Sequence, residues 1–159
     1  MMFAVYHTLH LTDTVLVADG GPKLDLLRGD AIGQTGGQPR NEVEVQAGYF
    51  NNGIGMRLSG NYRQGTRVNG GTIGNASTLN FGSLTTFDLR VFGDLGGRLE
   101  WVKAHPFLRG TRVSLSFDNI FNQRQRVTDA TGAVPVSYQP DYLDPLGRTI
   151  RLSIRKLFF

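Results

Sequence analysis

Apolar and polar residues alternate at every second position in six stretches of the chain. Successive side chains of a strand point to opposite faces, so period two marks strands with one apolar side. In GRTIRLSIRKLFF (147–159), Ile150, Leu152, Ile154 and Phe158 alternate with Thr149, Arg151, Ser153 and Arg155, and only Lys156 breaks the apolar row. GTRVSLSFDNIF (110–121) sets Val113, Leu115, Phe117 and Phe121 against Arg112, Ser114, Ser116 and Asp118. TFDLRVFGDL (86–95) and GIGMRLSGNYR (53–63) do the same with Phe87, Leu89, Val91 and with Ile54, Met56, Leu58, Tyr62. NEVEVQAGYF (41–50) sets Val43, Val45, Ala47 and Tyr49 against Glu42, Glu44 and Gln46. The opening FAVYHTLHLTDTVLV (3–17) alternates less well, with Val5, Leu9, Leu11, Val15 and Val17 on one parity. Helical periodicity is nearly absent. The pattern predicts an all-β, antiparallel protein of about six strands.

A soluble sandwich and a membrane barrel both alternate. The polar side favours the barrel, because Arg57, Arg63, Arg90, Arg112, Arg151 and Arg155 recur there as on a hydrated lumen. Glu42, Glu44, Asp88 and Asp118 lie on the same side and are expected to pair with them across strands. Connection lengths alternate as well. Asn51-Asn52-Gly53 is a tight hairpin signal, whereas 18–40, 68–83 and 122–146 are long. Outer-membrane barrels have short periplasmic turns and long external loops, so the long connections are expected outside and Asn52 in the periplasm. The stretch 96–110 should be a periplasmic turn yet is not short. Its Trp101 and Phe107 suit either the headgroup region or a small hydrophobic plug for the turn itself.

No apolar run approaches the roughly 20 residues of a membrane helix. The net charge is +4, from 14 arginines, three lysines and 13 acids, and the pI is about 9.8. The basic residues are scattered with no run of three, which argues against nucleic acid as a partner, since phosphate binding needs clustered charge. The chain has no cysteine, so disulfides and thiolate chemistry are excluded. The start, MMFAVYHTLHLTD, has neither a basic n-region nor a small-residue cleavage site, so no signal peptide is expected within these residues.

Catalytic motifs are absent, and the chain is not expected to be an enzyme or to carry a cofactor. His7 and His10, three apart in a strand, point to opposite faces, and His105 precedes Pro106 in a turn; no metal site is expected from them. Asp141 and Asp144 are bracketed by Pro140 and Pro145 and are expected to stabilise turns. Gly29, Gly33, Gly36 and Gly37 lack phosphate-loop spacing, and the sequon Asn75-Ala76-Ser77 carries no meaning in a bacterial outer membrane.

Two stretches carry a family resemblance. Asp118-Asn119-Ile120-Phe121-Asn122 resembles the N-[LI]-F-[DN] motif in the penultimate strand of TonB-dependent outer-membrane receptors. About 25 residues later, Pro145-Leu146-Gly147-Arg148-Thr149 opens a strand ending in Leu157-Phe158-Phe159, similar to the P-x-G-R-x start and aromatic finish of that family's last strand. The resemblance covers nearly all of 1–159 and is most specific over 111–159. It implies that the chain is an antiparallel transmembrane segment from the C-terminal end of a barrel of about 22 strands around a plug. The parent would import a scarce solute, such as an iron–siderophore, with energy from TonB.

The implied partners are outer-membrane lipid, the remaining strands and plug, and the barrel-assembly machinery acting through the last strand and its Phe158 and Phe159. TonB is reached only through an N-terminal region that these residues do not include. The implied location is the outer membrane. Tyr138, Tyr142 and Arg148, in an external loop, are candidate contacts to an anionic chelate; the other reading is that they shape the loop and anchor it at the membrane rim. Two alternatives stay open: a small outer-membrane barrel that closes by oligomerising, since six strands fall short of the roughly 8 of the smallest single-chain barrels, and a soluble β-sandwich binding module.

Overall fold

The computed structural model describes residues 1–30, 36–70, 78–97 and 99–158. Its strands in chain order are β1 (Met2–Leu9), β2 (Thr14–Leu16), β3 (Lys23–Asp25), β4 (Asn41–Asn51), β5 (Ile54–Arg63), β6 (Thr66–Val68), β7 (Leu79–Phe81), β8 (Leu84–Asp94), β9 (Thr111–Asp118), β10 (Val127–Thr128) and β11 (Thr149–Lys156). The protein is all-β and antiparallel. Six strands form one meandering sheet in the order β1-β4-β5-β8-β9-β11, in which each long strand pairs with the next along the chain.

Register turns the alternation of single strands into rows that cross five or all six strands of the sheet. One row runs Phe3–Ala47–Leu58–Leu89–Phe117–Ile150, and the next runs Tyr49–Met56–Val91–Leu115–Leu152. Cross-strand neighbours of this kind are the unit of sheet stabilisation. These rows are not covered. Ile150, Leu152 and Ile154 are each more than 60% exposed, and Phe3, Tyr49 and Met56 are exposed as well. Among the described residues the buried hydrophobic side chains are Phe81 and Val127, both outside this sheet.

The tight turn consists of Asn52 and Gly53, with φ of 47° and 81°, and Asn51 pairs directly with Ile54. Positive φ at both central residues is the type I′ geometry that matches strand twist. Beside the turn the sheet is aromatic on its polar parity, where Phe50 and Phe92 stack at 6.1 Å across Gly55. A Cβ at Gly55 would collide with the Phe92 ring and lie 2.9 Å from Phe50 Cδ2. Gly55→Ala is therefore expected to cost about 1–3 kcal/mol through overpacking. Adding Phe92→Ala should recover some of that loss, which a double-mutant cycle on the denaturant midpoint would show.

All three long connections leave from the end of the sheet opposite this turn, since Leu9 faces Asn41, Arg63 faces Leu84 and Asp118 faces Thr149. They interlock there. β6 and β7 from one connection join β10 from another in a three-stranded sheet, and β2 and β3 form a hairpin of their own. Asn69 donates its backbone N–H to the Gly29 carbonyl and so ties the first connection to the second.

Two sequence expectations are corrected here. The stretch 3–17 is not one strand: β1 ends at Leu9, the His10 N–H turns to the Arg40 carbonyl, and β2 belongs to a different sheet. The 96–110 connection is largely helical, with a 3-10 turn, a short helix α1 (Leu99–Ala104) and a second 3-10 turn over Pro106–Leu108. Lys156, which breaks the apolar row of the last strand, donates from Nζ to the carbonyls of Phe107 and Arg109 in this connection.

Candidate functional site

Where β9 gives way to the last loop, Asn119 and Asn122 both adopt left-handed backbone, each with φ of 53°. Asparagine is among the few L-residues that enter this region readily. The Asn119 side chain is buried; its Oδ1 accepts from the Gln123 N–H at 2.9 Å and its Nδ2 donates to the Gln123 carbonyl at 2.7 Å. Its own backbone N–H donates to Asp88 Oδ1 at 2.8 Å, and the Ile120 N–H donates to the Phe87 carbonyl, so the turn is bonded back onto β8. Phe121 sets its ring edge-on to Phe87 at 5.5 Å.

The second motif closes onto the first. Asn122 Oδ1 accepts from the Arg148 N–H at 3.0 Å, and the Arg148 guanidinium donates to the Ile120 carbonyl at 3.3 Å. Pro145 follows Asp144, whose carboxylate accepts from the Gly147 N–H at 3.0 Å. Gly147 has φ of 55°, and a Cβ there would collide with Asn122 Oδ1 and lie 2.8 Å from Arg124 Nη2. Asn122 and Arg148, with Gly147 close against Asn122, thus form a clasp joining the ends of β9 and β11, while Asn119 and Phe121 fasten the turn to β8. Asp144 fills the expected turn role, whereas Asp141 is ion-paired to Arg124. Phe158 is 89% exposed with Lys156 Nζ 5.9 Å from its ring; Phe159, Gly33 and the sequon 75–77 lie outside the described residues.

Tyr138, Tyr142 and Arg148 share no hydrogen bond or ring contact with one another among the described residues. Tyr138 packs edge-on to Phe81 at 5.8 Å, Tyr142 is exposed, and the Arg148 guanidinium is engaged in the clasp. Behind Phe81 the loops enclose a cleft of about 210 Å³, lined among others by Arg63, Gln64, Gln125 and Leu143. That is smaller than the roughly 300–1,000 Å³ of sites that enclose drug-sized ligands. The loop also contains a turn built on Asp129, whose carboxylate accepts from the Thr131 hydroxyl and from the Thr131 and Ala133 N–H groups. The Thr131 hydroxyl bond is the main cause that holds this carboxyl below its ordinary value.

The histidines are occupied singly. His7 Nε2 lies 3.0 Å from Asn41 Oδ1 and His10 Nε2 lies 3.3 Å from Gln38 Nε2, and no metal-binding cluster occurs among the described residues.

The polar face of the six-stranded sheet departs most from expectation. Of the predicted pairs only Arg63–Glu42 forms, at 3.5 Å; Arg112 pairs with Asp94 instead, at 3.4 Å. Asp88 is engaged by the Asn119 N–H, and Asp118 accepts from the Thr149 hydroxyl. Arg57, Arg90, Arg151 and Arg155 form no ion pair among the described residues and are exposed. Register places Arg57 directly opposite Arg90, and Arg90 and Arg151 on either side of Ser116. Parity put these residues on one face, but their meeting in a single row depends on register across loops whose length says nothing about it.

Comparison of the chain with protein-family models, with curated proteins and with solved structures gives no match.

Proposed function

We propose that this chain supplies consecutive strands of an outer-membrane β-barrel, the C-terminal portion of a receptor of the TonB-dependent kind that takes up a scarce solute such as an iron–siderophore. The observation that carries this is the pair of unbroken apolar rows, one across all six antiparallel strands and the next across five, exposed on one face while the other bears arginines. Lipid is the solvent that suits such a face, and water or a second sheet must otherwise cover it. Three further features support the reading: the long loops share one end, the clasp unites both family-like motifs, and β1 and β11 each keep one free edge. The remaining strands would pair with those edges, the plug would stand against the polar face, and the assembly machinery would read β11. TonB would act through the plug side.

A second reading is a small barrel closed by several copies. β1 and β11 run in opposite directions in this meander, so β11 of one copy can pair antiparallel with β1 of the next. A soluble sandwich would need another sheet over the apolar rows.

Fractionation of cells producing the full-length product should find it in the outer membrane, released only by detergent, with gel mobility that changes on heating. The 159 residues expressed alone should be insoluble in plain buffer, because unpaired sheet edges and exposed apolar rows both promote aggregation. A soluble monomer that unfolds cooperatively without detergent would overturn the membrane reading in favour of the sandwich.

A further inference from the structure

We infer that the connection 96–110 is a docking element for the headgroups of an anionic phospholipid surface, held at the rim of the apolar face by Thr111 and Lys156. The inference rests on the barrel reading, which sets the apolar rows in lipid, and it names the lipid chemistry met at the turn end.

The apolar face ends towards the turn in the row Ile54–Gly93–Val113–Ile154. Two residues further on, about 7 Å along the strands, the same parity carries Thr111 opposite Lys156. Both of these polar side chains hold the connection. Thr111 Oγ1 donates to the Phe107 carbonyl at 3.2 Å, and Lys156 Nζ donates to the carbonyls of Phe107 and Arg109. The Leu157 N–H adds a bond to the Gly110 carbonyl at 2.9 Å, and Thr111 is buried. The segment is thus fastened at the rim of the apolar face, whereas Asp94, Arg112 and Arg155 occupy the opposite parity.

This rim is apolar and cationic together. Phe107 is 69% exposed, Trp101 and Leu157 are exposed as well, and Phe158 has Lys156 Nζ beside its ring. A hydrophobic plug for the turn would cover Phe107, which instead stays open. Of the charged residues in 96–110 three are cations, Arg98, Lys103 and Arg109, and one is an acid, Glu100. Aromatic rings settle at headgroup depth in a bilayer, and cations there draw in anionic headgroups. The complement of such a rim is a phospholipid surface of negative charge.

The test uses the full-length product folded into phosphatidylcholine bilayers. These contain phosphatidylglycerol brominated high on its acyl chains or, as the reference, the same amount of brominated phosphatidylcholine. The readout is quenching of Trp101 emission, taken as the difference between wild type and Trp101→Phe. Phosphatidylglycerol should quench about fivefold more effectively, the preference that one cation near an anionic surface supplies. Lys103→Gln should lower that preference several-fold. Lys156→Met restores the apolar row but removes the bonds to Phe107 and Arg109, so it should weaken quenching by both lipids. Heat-modifiable gel mobility retained in each variant shows that the change is one of position and not of folding. Arg28→Gln, at the loop end and paired with Asp25, should alter neither signal. Equal quenching by the two lipids, or quenching that Lys156→Met leaves intact, overturns the inference. A folded barrel whose Trp101 no lipid quenches overturns it too, while leaving the barrel reading in place. A product that never enters the bilayer removes both.

Discussion

Replacing Asn119 by alanine is expected to cost about 3–4 kcal/mol of stability. Placing alanine in left-handed backbone costs roughly 1–2 kcal/mol, and each of the two hydrogen bonds lost contributes about 0.5–1.5 kcal/mol. Both the N–H and the carbonyl of Gln123 lose their bonds to this side chain, and the anchorage of β9 to β8 through Asp88 and Phe87 loosens with them. Asn119→Gly relieves the backbone strain while removing the same two bonds, so it should be milder by about 1 kcal/mol. Denaturant midpoints of the full-length product in detergent would check the ranking. Wild-type stability in the alanine variant would mean that the clasp does not hold the last two strands together.

On the proposed barrel reading, Leu115→Arg should cost about 2–4 kcal/mol in a bilayer, the range for a cationic side chain at mid-depth on a lipid-facing strand surface. Leu115 lies in the central apolar row between Val91 and Leu152. Its neighbour Ser116 faces the other way, between Arg90 and Arg151, so the sign of a new charge matters there. Ser116→Glu should stabilise by up to about 1 kcal/mol and Ser116→Arg should destabilise by a similar amount, the scale of cross-strand charge pairs. Unfolding in liposomes would compare the three. Equal losses for Leu115→Arg and Ser116→Arg would reverse the assignment of faces.

Period-two patterning made the long strands legible because each has one apolar side, and five of the six predicted stretches coincide with a strand of the main sheet to within a few residues. The first stretch was over-extended because Leu11, Val15 and Val17 continue the parity of β1 after its hydrogen bonding has ended. Strands of two or three residues, such as β6, β7 and β10, are too short to show any period. The helical 96–110 connection was hidden because six residues of α1 cannot display a helical repeat. Within the candidate site, Asn119, Asn122, Gly147 and Arg148 were recognisable as motif members, but only folding shows that Asn122 bonds both Asn119 and Arg148. Of the expected arginine pairs Arg63–Glu42 forms, while Asp88 and Asp118 accept from a backbone N–H and a threonine hydroxyl. Tyr142, an aromatic in a polar loop, is 75% exposed and stacks on no other aromatic among the described residues.

The small sheet of β6, β7 and β10 has a mechanical consequence for whatever approaches from the loop end. Its strands come from two separate connections, and its core is Phe81 and Val127, with buried Pro39 contributed by a third. Loops joined in this way cannot move apart singly. Displacing the second or third strips β-pairing from the other, and displacing the first breaks its hydrogen bonds to Thr66 and Asn69, so motion at this end is collective. The loop end is therefore a jointed surface that shifts as a piece, in place of three independent fingers.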